Sequence, residues 1–346
     1  YCFPNALEAI EALQCVVDFA GKAPKALYYL GNLWYDKRRY PTAIAAWERS
    51  SREDETFPTV WRNLSLAYFN KMNRPDEAVA LLEKAFRLDH TDARVLMELD
   101  QLYKRLNRPH IERLCFLEQH IDIVMTRDDL YLEYVTLLNQ TGQYREAIRR
   151  IDQRKFHPWE GGEGKVPAQY QLARLELAKE LINRKKYDDA LALIDECYIY
   201  PTHLGEGKLP GAQENDFNYY KAYILQQQGR PEEAHSLFVK ACSGNSQPAA
   251  AMYYNDQKPD KIFYQGLAYR KLGEEENARS RFNQLITYGE EHLFDRFKMD
   301  YFAVSLPDLL IWEDDMDKKN RIHCNYLMAL GHLDWEIEQK PNTSLI

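Results

Sequence analysis

Residues 24–50 read PKALYYLGNLWYDKRRYPTAIAAWERS, and the order of large and small residues in them decides the fold. Leu27, Leu30, Gly31 and Trp34 recur at helical spacing, and Ala43 and Trp47 share a face of a second helix. Gly31 and Ala43 are small enough to let the two helices of a pair approach closely, and the large residues fill the space beside them. Residues 58–86, PTVWRNLSLAYFNKMNRPDEAVALLEKAF, repeat the pattern with Trp61, Leu64, Tyr68, Ala78 and Leu82. In residues 95–118 Asn107-Arg108-Pro109 echoes Asn73-Arg74-Pro75 at an offset of 34. Four more second helices follow: QYREAIRRI, KYDDALALI, RPEEAHSLF and EENARSRFNQLI. Several turns carry Gly or Asn beside Arg or Lys and then an acidic first turn, a helix stop followed by a helix start.

The pattern W-x2-L-G-x2-Y…A-x3-F is that of a tetratricopeptide unit. The expected fold is therefore all-α: a tetratricopeptide-like α-solenoid, a right-handed superhelix of about seven helix pairs, with a helical C-terminal cap. One repeat domain is expected over 1–346, with standard-length repeats in 1–156, extended inter-repeat loops in 157–288, and capping helices and a tail in 289–346. The anchor alanines locate the change of length. Ala43 to Ala78 is 35 residues, and Ala78 to Ala147 is 69, two periods with one degenerate anchor between. Ala147, Ala190, Ala234 and Ala278 then follow at 43, 44 and 44. The extra residues fall after a second helix and before the next first helix, in HPWEGGEGKVPAQY, YPTHLGEGKLPGAQEND and SGNSQPAAAMYYNDQKPD. Per-repeat insertions in a solenoid map to one face, so the three loops should be neighbours along one edge.

Composition excludes several classes. The net charge is −8 with both signs interspersed, which gives no electrostatic reason for a nucleic-acid partner. The apolar runs are short and broken by charge, so no membrane span is expected. Six cysteines (Cys2, Cys15, Cys115, Cys197, Cys242, Cys324) are scattered with no C-x-x-C pair, and read as buried single thiols of a reducing compartment. The chain opens YCFPNALEAI, without Met or a signal peptide, and reads as a piece of a longer polypeptide.

HPWEGGEGKV, LGEGKLPGAQEND, YYNDQKPDKIFYQGLA and DYFAVSLPDLL resemble the C-terminal half of a bacterial family of unknown function. Its members join an N-terminal galactose-mutarotase-like β-domain to a helical array of tetratricopeptide type. The resemblance runs from FPNALEAIEAL to about Gly331. It implies a helical solenoid, a preceding β-domain outside this chain, cytoplasmic residence and a link to carbohydrate. It carries no catalytic assignment.

Gly-Glu-Gly-Lys is written twice, at 162–165 and 205–208. Glycines leave backbone N–H groups open, and Glu163, Lys165, Glu206 and Lys208 place opposite charges at fixed spacing. His157, Trp159, Glu160, His203, Glu214 and Asp216 share these loops, and Asn255 and Asp256 lie in the third. These residues are the candidate binding set. Trp159, between Pro158 and Glu160, is the aromatic outside the helix-packing pattern, with Tyr253, Tyr254 and Tyr264 as weaker counterparts. One reading is that Glu and Lys pair across neighbouring loops and brace them. A second is that the looped edge docks a β-domain or another protein. A third is that it supplies carboxylates to a carbohydrate-active site completed by the β-domain.

Other chemistry finds less support. A phosphate-binding loop fails, because Trp159 stands where its first Gly belongs and Val166 follows the lysine. No cofactor is indicated. A metal site is not expected: His157 and His203 have only carboxylates nearby in sequence, and His323 and Cys324, adjacent on a helix, point to different sides. The acidic run Glu313, Asp314, Asp315 and Asp317 reads as a solvated helix start, with Lys318 and Lys319 beside it. A groove for free peptides has little support, since no run of Lys, Arg or Asn is evident on successive first helices.

Overall fold

The computed structural model describes residues 6–251, 256–296 and 311–339, and among them no strand occurs. Among the described residues, helix α1 (Glu8–Phe19) precedes seven helix pairs. These are α2/α3 (Pro24–Asp36, Tyr40–Glu53), α4/α5 (Pro58–Met72, Pro75–Leu88) and α6/α7 (Ala93–Arg105, His110–Gln119). A one-turn helix α8 (Ile121–Val124) leads into α9/α10 (Asp128–Gln140, Tyr144–Asp152) and α11/α12 (Lys165–Asn183, Tyr187–Cys197). The series closes with α13/α14 (Asn215–Gln227, Pro231–Ala241) and α15/α16 (Pro259–Lys271, Glu275–His292), followed by α17 (Met316–Gln339). The chain forms two compact units, Tyr1–Leu137 with Leu310–Glu313, and Leu138–Leu309 with Asp314–Ile346.

One device reverses the chain inside every pair. Arg38, Asn73, Asn107, Gly142, Lys185, Gly229 and Gly273 all take a left-handed φ between 51° and 79°. The next residue's N–H returns to a carbonyl five or six residues back, as in Arg74 to Tyr68 and Glu274 to Tyr269. This satisfies the open carbonyls at the end of each first helix. Proline at the start of α2, α4, α5, α14 and α15 sets φ where the lost N–H has no helical partner.

The alanines mark the closest approaches. Ala43, Ala78, Ala147, Ala190 and Ala278 are fully buried, and Ala234 nearly so. A methyl added to Gly31 would overlap the Trp47 indole, and one on Gly266 would lie 2.5 Å from the Phe282 ring. The degenerate anchor between Ala78 and Ala147 is Arg113, 1% exposed. Its guanidinium forks onto Asp100 of α6 at 3.0 and 2.6 Å and reaches Glu133 of α9 at 2.7 Å. Burial pushes the Asp100 carboxyl up to about 6, against the pull of Arg113.

Two expectations are corrected. Cys15 and Cys115 are exposed, whereas Cys197, Cys242 and Cys324 are buried, and all five are free thiols; Cys2 lies outside the described residues. The C-terminal stretch is also not all cap. Helix α17 packs on α15 and α16, but Ile311–Glu313 belong to the first unit, among α4 and α6. The acidic run otherwise starts a helix: Asp315 Oδ1 accepts the Lys318 N–H at 2.9 Å, and Asp314 pairs with Lys319. No described helix is long and apolar enough to cross a membrane.

Candidate functional site

Among the described residues the three long loops of the second unit occupy 153–164, 198–214, and 242–251 with 256–258. The first two are tied together. Glu206 Oε2 accepts the Gly164 N–H at 2.7 Å, and the Phe156 N–H donates to the His203 carbonyl at 2.8 Å. Gly205 makes the approach possible: its φ is +77°, and a Cβ there would lie 2.7 Å from the Phe156 carbonyl oxygen. Gly164 is the N-cap of α11, so Glu206 brings a carboxylate from the adjacent loop to that helix start. Burial pushes the Glu206 carboxyl up, the Gly164 N–H opposes this, and the charge on Glu163 adds to the rise.

Loops two and three are tied as well. Gln213 Oε1 accepts the Lys258 N–H at 3.3 Å. Asn215 Nδ2 donates to the Ala241 and Ser243 carbonyls, both at 2.8 Å, and Gln265 Nε2 donates to Ser243 and Asn245. Beneath them Asp216 and Lys261 form a buried ion pair. The three loops are thus successive neighbours along one edge of the second unit. A cleft of about 340 Å³ lies at loops one and two, lined by His157, Trp159, Glu160, Glu163 and Glu206. Trp159 lies across Gly162, where any side chain would collide with the indole. A larger cleft of about 630 Å³ lies at loops two and three, with Tyr198, Glu214, Lys221 and Gln257 in its wall.

Five of the twelve candidates therefore share one cleft, and the others are dispersed. Lys165 is the exposed first residue of α11. His203 faces Asp152 at 3.8 Å and the Tyr170 ring. Lys208 pairs with Glu214 and donates to the Tyr198 carbonyl, so its own acid–base pair forms within the second loop. Asp216 is not in a loop: it sits in the first turn of α13, buried against Lys261. Asp256 lies beside Gln257 at the end of the third loop, and Asn255, Tyr253 and Tyr254 lie outside the described residues. Tyr264 is a partly buried helix residue whose hydroxyl meets that of Tyr220 at 3.1 Å. The echoed Gly-Glu-Gly-Lys is not an echoed geometry. Its third residue, Gly164, takes positive φ in the first copy, and its first residue, Gly205, does so in the second. His323 bonds to the Ala249 carbonyl at 2.8 Å while Cys324 is buried on another side of α17. No group of three or more His, Cys, Asp or Glu among the described residues could hold a metal ion.

A second constellation, in the first unit, corrects the expectation that no clamp exists on the first helices. Tyr35, Asn70 and Arg105 stand at one repeat position, 35 residues apart, near the ends of α2, α4 and α6. Asn70 Nδ2 donates to the Ile311 carbonyl at 2.8 Å, and its Oδ1 accepts the Glu313 N–H at 2.9 Å. Arg105 Nη2 donates to the Trp312 carbonyl at 3.2 Å. The Trp312 indole is fully buried, edge-on to Phe69, and its N–H donates to the Glu98 carbonyl at 3.0 Å. Lys71 pairs with Glu313. The period of 35 was the available signal, hidden because three different side chains occupy the position.

Two segments match models of the tetratricopeptide repeat: residues 58–92, which hold α4 and α5, and residues 262–288, in α15 and α16. Among solved structures the chain is similar to YrrB, a tetratricopeptide protein described as having an unusual peptide-binding site. The identity is 16% and the TM-score 0.40, over 54% of this chain and 91% of that one. It is also similar to a tetratricopeptide repeat protein from Parabacteroides merdae (15%, TM-score 0.35, 76% and 91% of the two chains). A third is the Naa15/Naa10 complex bound to HypK-THB (13%, TM-score 0.45, 96% and 56%). The chain is an all-α, tetratricopeptide-like array of helix pairs.

Proposed function

We propose that this chain is a protein-binding module whose three-loop edge docks a folded partner domain. One observation carries the reading: the second loop, fastened to a neighbour on each side, presents Ile199 at 59% and Leu209 at 56% exposure. Apolar side chains held outward on an ordered backbone lose little entropy when a partner covers them. Trp159 adds aromatic surface, and the rim carboxylates and Lys221 supply polar contacts of the kind that fix orientation. The occupant is the galactose-mutarotase-like β-domain that the family resemblance implies.

The test titrates that β-domain, expressed separately from a family member that carries both parts, against this chain by calorimetry. Saturable binding is expected for the unaltered chain and is lost in Ile199→Asp/Leu209→Asp, with the helical circular-dichroism signal unchanged. A β-domain that ignores the unaltered chain overturns the reading.

The cleft favours a second reading. Trp159 with Glu160, Glu163 and Glu206 combines an aromatic face with oxygen acceptors, a combination suited to a sugar ring and its hydroxyls. Under this reading the carboxylates join a carbohydrate site completed by the β-domain. Trp159 fluorescence should then shift on addition of galactose to the chain and not in Glu163→Gln/Glu206→Gln. An unchanged spectrum at saturating sugar removes it.

A further inference from the structure

We propose that the first unit carries a binding site for apolar–Trp–acidic peptide segments, occupied in this structure by the chain's own Ile311-Trp312-Glu313 as an internal ligand. A tryptophan that merely fills a core contributes its side chain. Here the main chain of three consecutive residues is held by side chains of successive repeats. One carboxamide, Asn70, takes the Ile311 carbonyl and the Glu313 N–H together, and Arg105 takes the Trp312 carbonyl between them. Side chains that hydrogen-bond main-chain groups hold a backbone of any sequence, and pockets beside them select the side chains. The selecting features are present. Phe69 and the Glu98 carbonyl match both the ring and the N–H of an indole, and Lys71 matches a carboxylate one residue on. Tyr35, which senses both Lys71 and Glu313, extends the same repeat position onto α2.

The occupant is separated from its clamp by 241 residues of sequence and belongs to no helix of the array. Tethering makes it a competitor at high effective concentration, so an outside peptide of the same chemistry is masked until the internal segment is weakened. This site lies in the first unit and is independent of the loop edge, so either proposal can fail without the other.

The experiment uses the full chain and a fluorescein-labelled peptide LLIWEDDMD, residues 309–317, read by anisotropy. Trp312→Ala, which empties the indole pocket, should bind the peptide about tenfold or more tighter than the unaltered chain. Adding Asn70→Ala to that variant, or replacing Trp by Ala in the peptide, should abolish binding. If Trp312→Ala loses helical signal, Glu313→Lys replaces it, because it sets two cations against each other without opening a cavity. Refusal of the peptide by both variants, or equal affinity for the variants and the unaltered chain, overturns the proposal.

Discussion

Glu206 closes the start of a helix that begins in the loop beside its own. Helix α11 has an N-cap glycine without a side chain, so the acceptor that Ser or Asp would supply locally is imported. Glu206→Ala is expected to lower stability by about 1 kcal/mol in urea unfolding, in the range of lost N-caps. Glu206→Gln should cost less, because its amide oxygen still accepts the Gly164 N–H and no charge is left half-buried. Equal losses would show that the charge, and not the hydrogen bond, holds the loops together. At the thiols, burial pushes Cys197 and Cys242 up to about 12. Maleimide labelling of the native protein followed by mass mapping should therefore modify Cys15 and Cys115 rapidly, and Cys197 and Cys242 only after unfolding. Composition showed that the cysteines were single; which of them face solvent depends on helix rotation that composition does not carry.

Among the elements, the third pair departs furthest from its neighbours. Where the other pairs place alanine, it buries Arg113 between Asp100 of its own first helix and Glu133 of the next. Arg113→Ala would restore the repeat pattern yet leave two carboxylates without their guanidinium. It is expected to cost about 3–5 kcal/mol near neutral pH. The cost should fall on acidification. Asp100 titrates in the folded chain at about 6, above the roughly 3.9 of an unfolded aspartate. Its contribution to stability is thus fully present below the unfolded value and is lost as pH rises through about 6. Without Arg113 the folded value rises further, so the gap between variant and unaltered chain, followed by urea unfolding, should narrow from pH 7 to pH 5. A gap that widens with acid contradicts the assignment. At Gly266 a methyl group meets Phe282, and Gly266→Ala should cost about 1–3 kcal/mol by the same measurement. The alanine spacing made the pairs legible, because close approach of two helices leaves a mark in one small residue. The degenerate anchor was legible only as a gap, since nothing local says that a cation can take an alanine's place.

Over the whole molecule, each pair touches chiefly the pairs before and after it: α3 on α4, α5 on α6, α10 on α11, α12 on α13 and α14 on α15. Damage should therefore stay near its origin. Asp216→Ala, which leaves the buried Lys261 with the more distant Asp260 at 3.6 Å, should raise hydrogen exchange in α13–α15 and leave α2–α5 as protected as before. Uniform loss of protection would contradict nearest-neighbour stacking. The order of the three long loops was legible for the same reason, because a repeat offset of 43 or 44 puts equivalent segments side by side. The partnership of Asn70 and Arg105 with Trp312 was not. It spans more than 200 residues, and no periodicity connects a repeat to a segment outside the repeats.

The imported cap of α11 also bears on the way the chain is made. Synthesis runs from the amino end, and Glu206 leaves the ribosome 42 residues after the amide it must meet. At roughly 5–20 residues per second, the nascent helix waits about 2–8 s with its first turn open. The start of α11 is therefore closed backwards, the newly delivered second loop finishing the helix behind it.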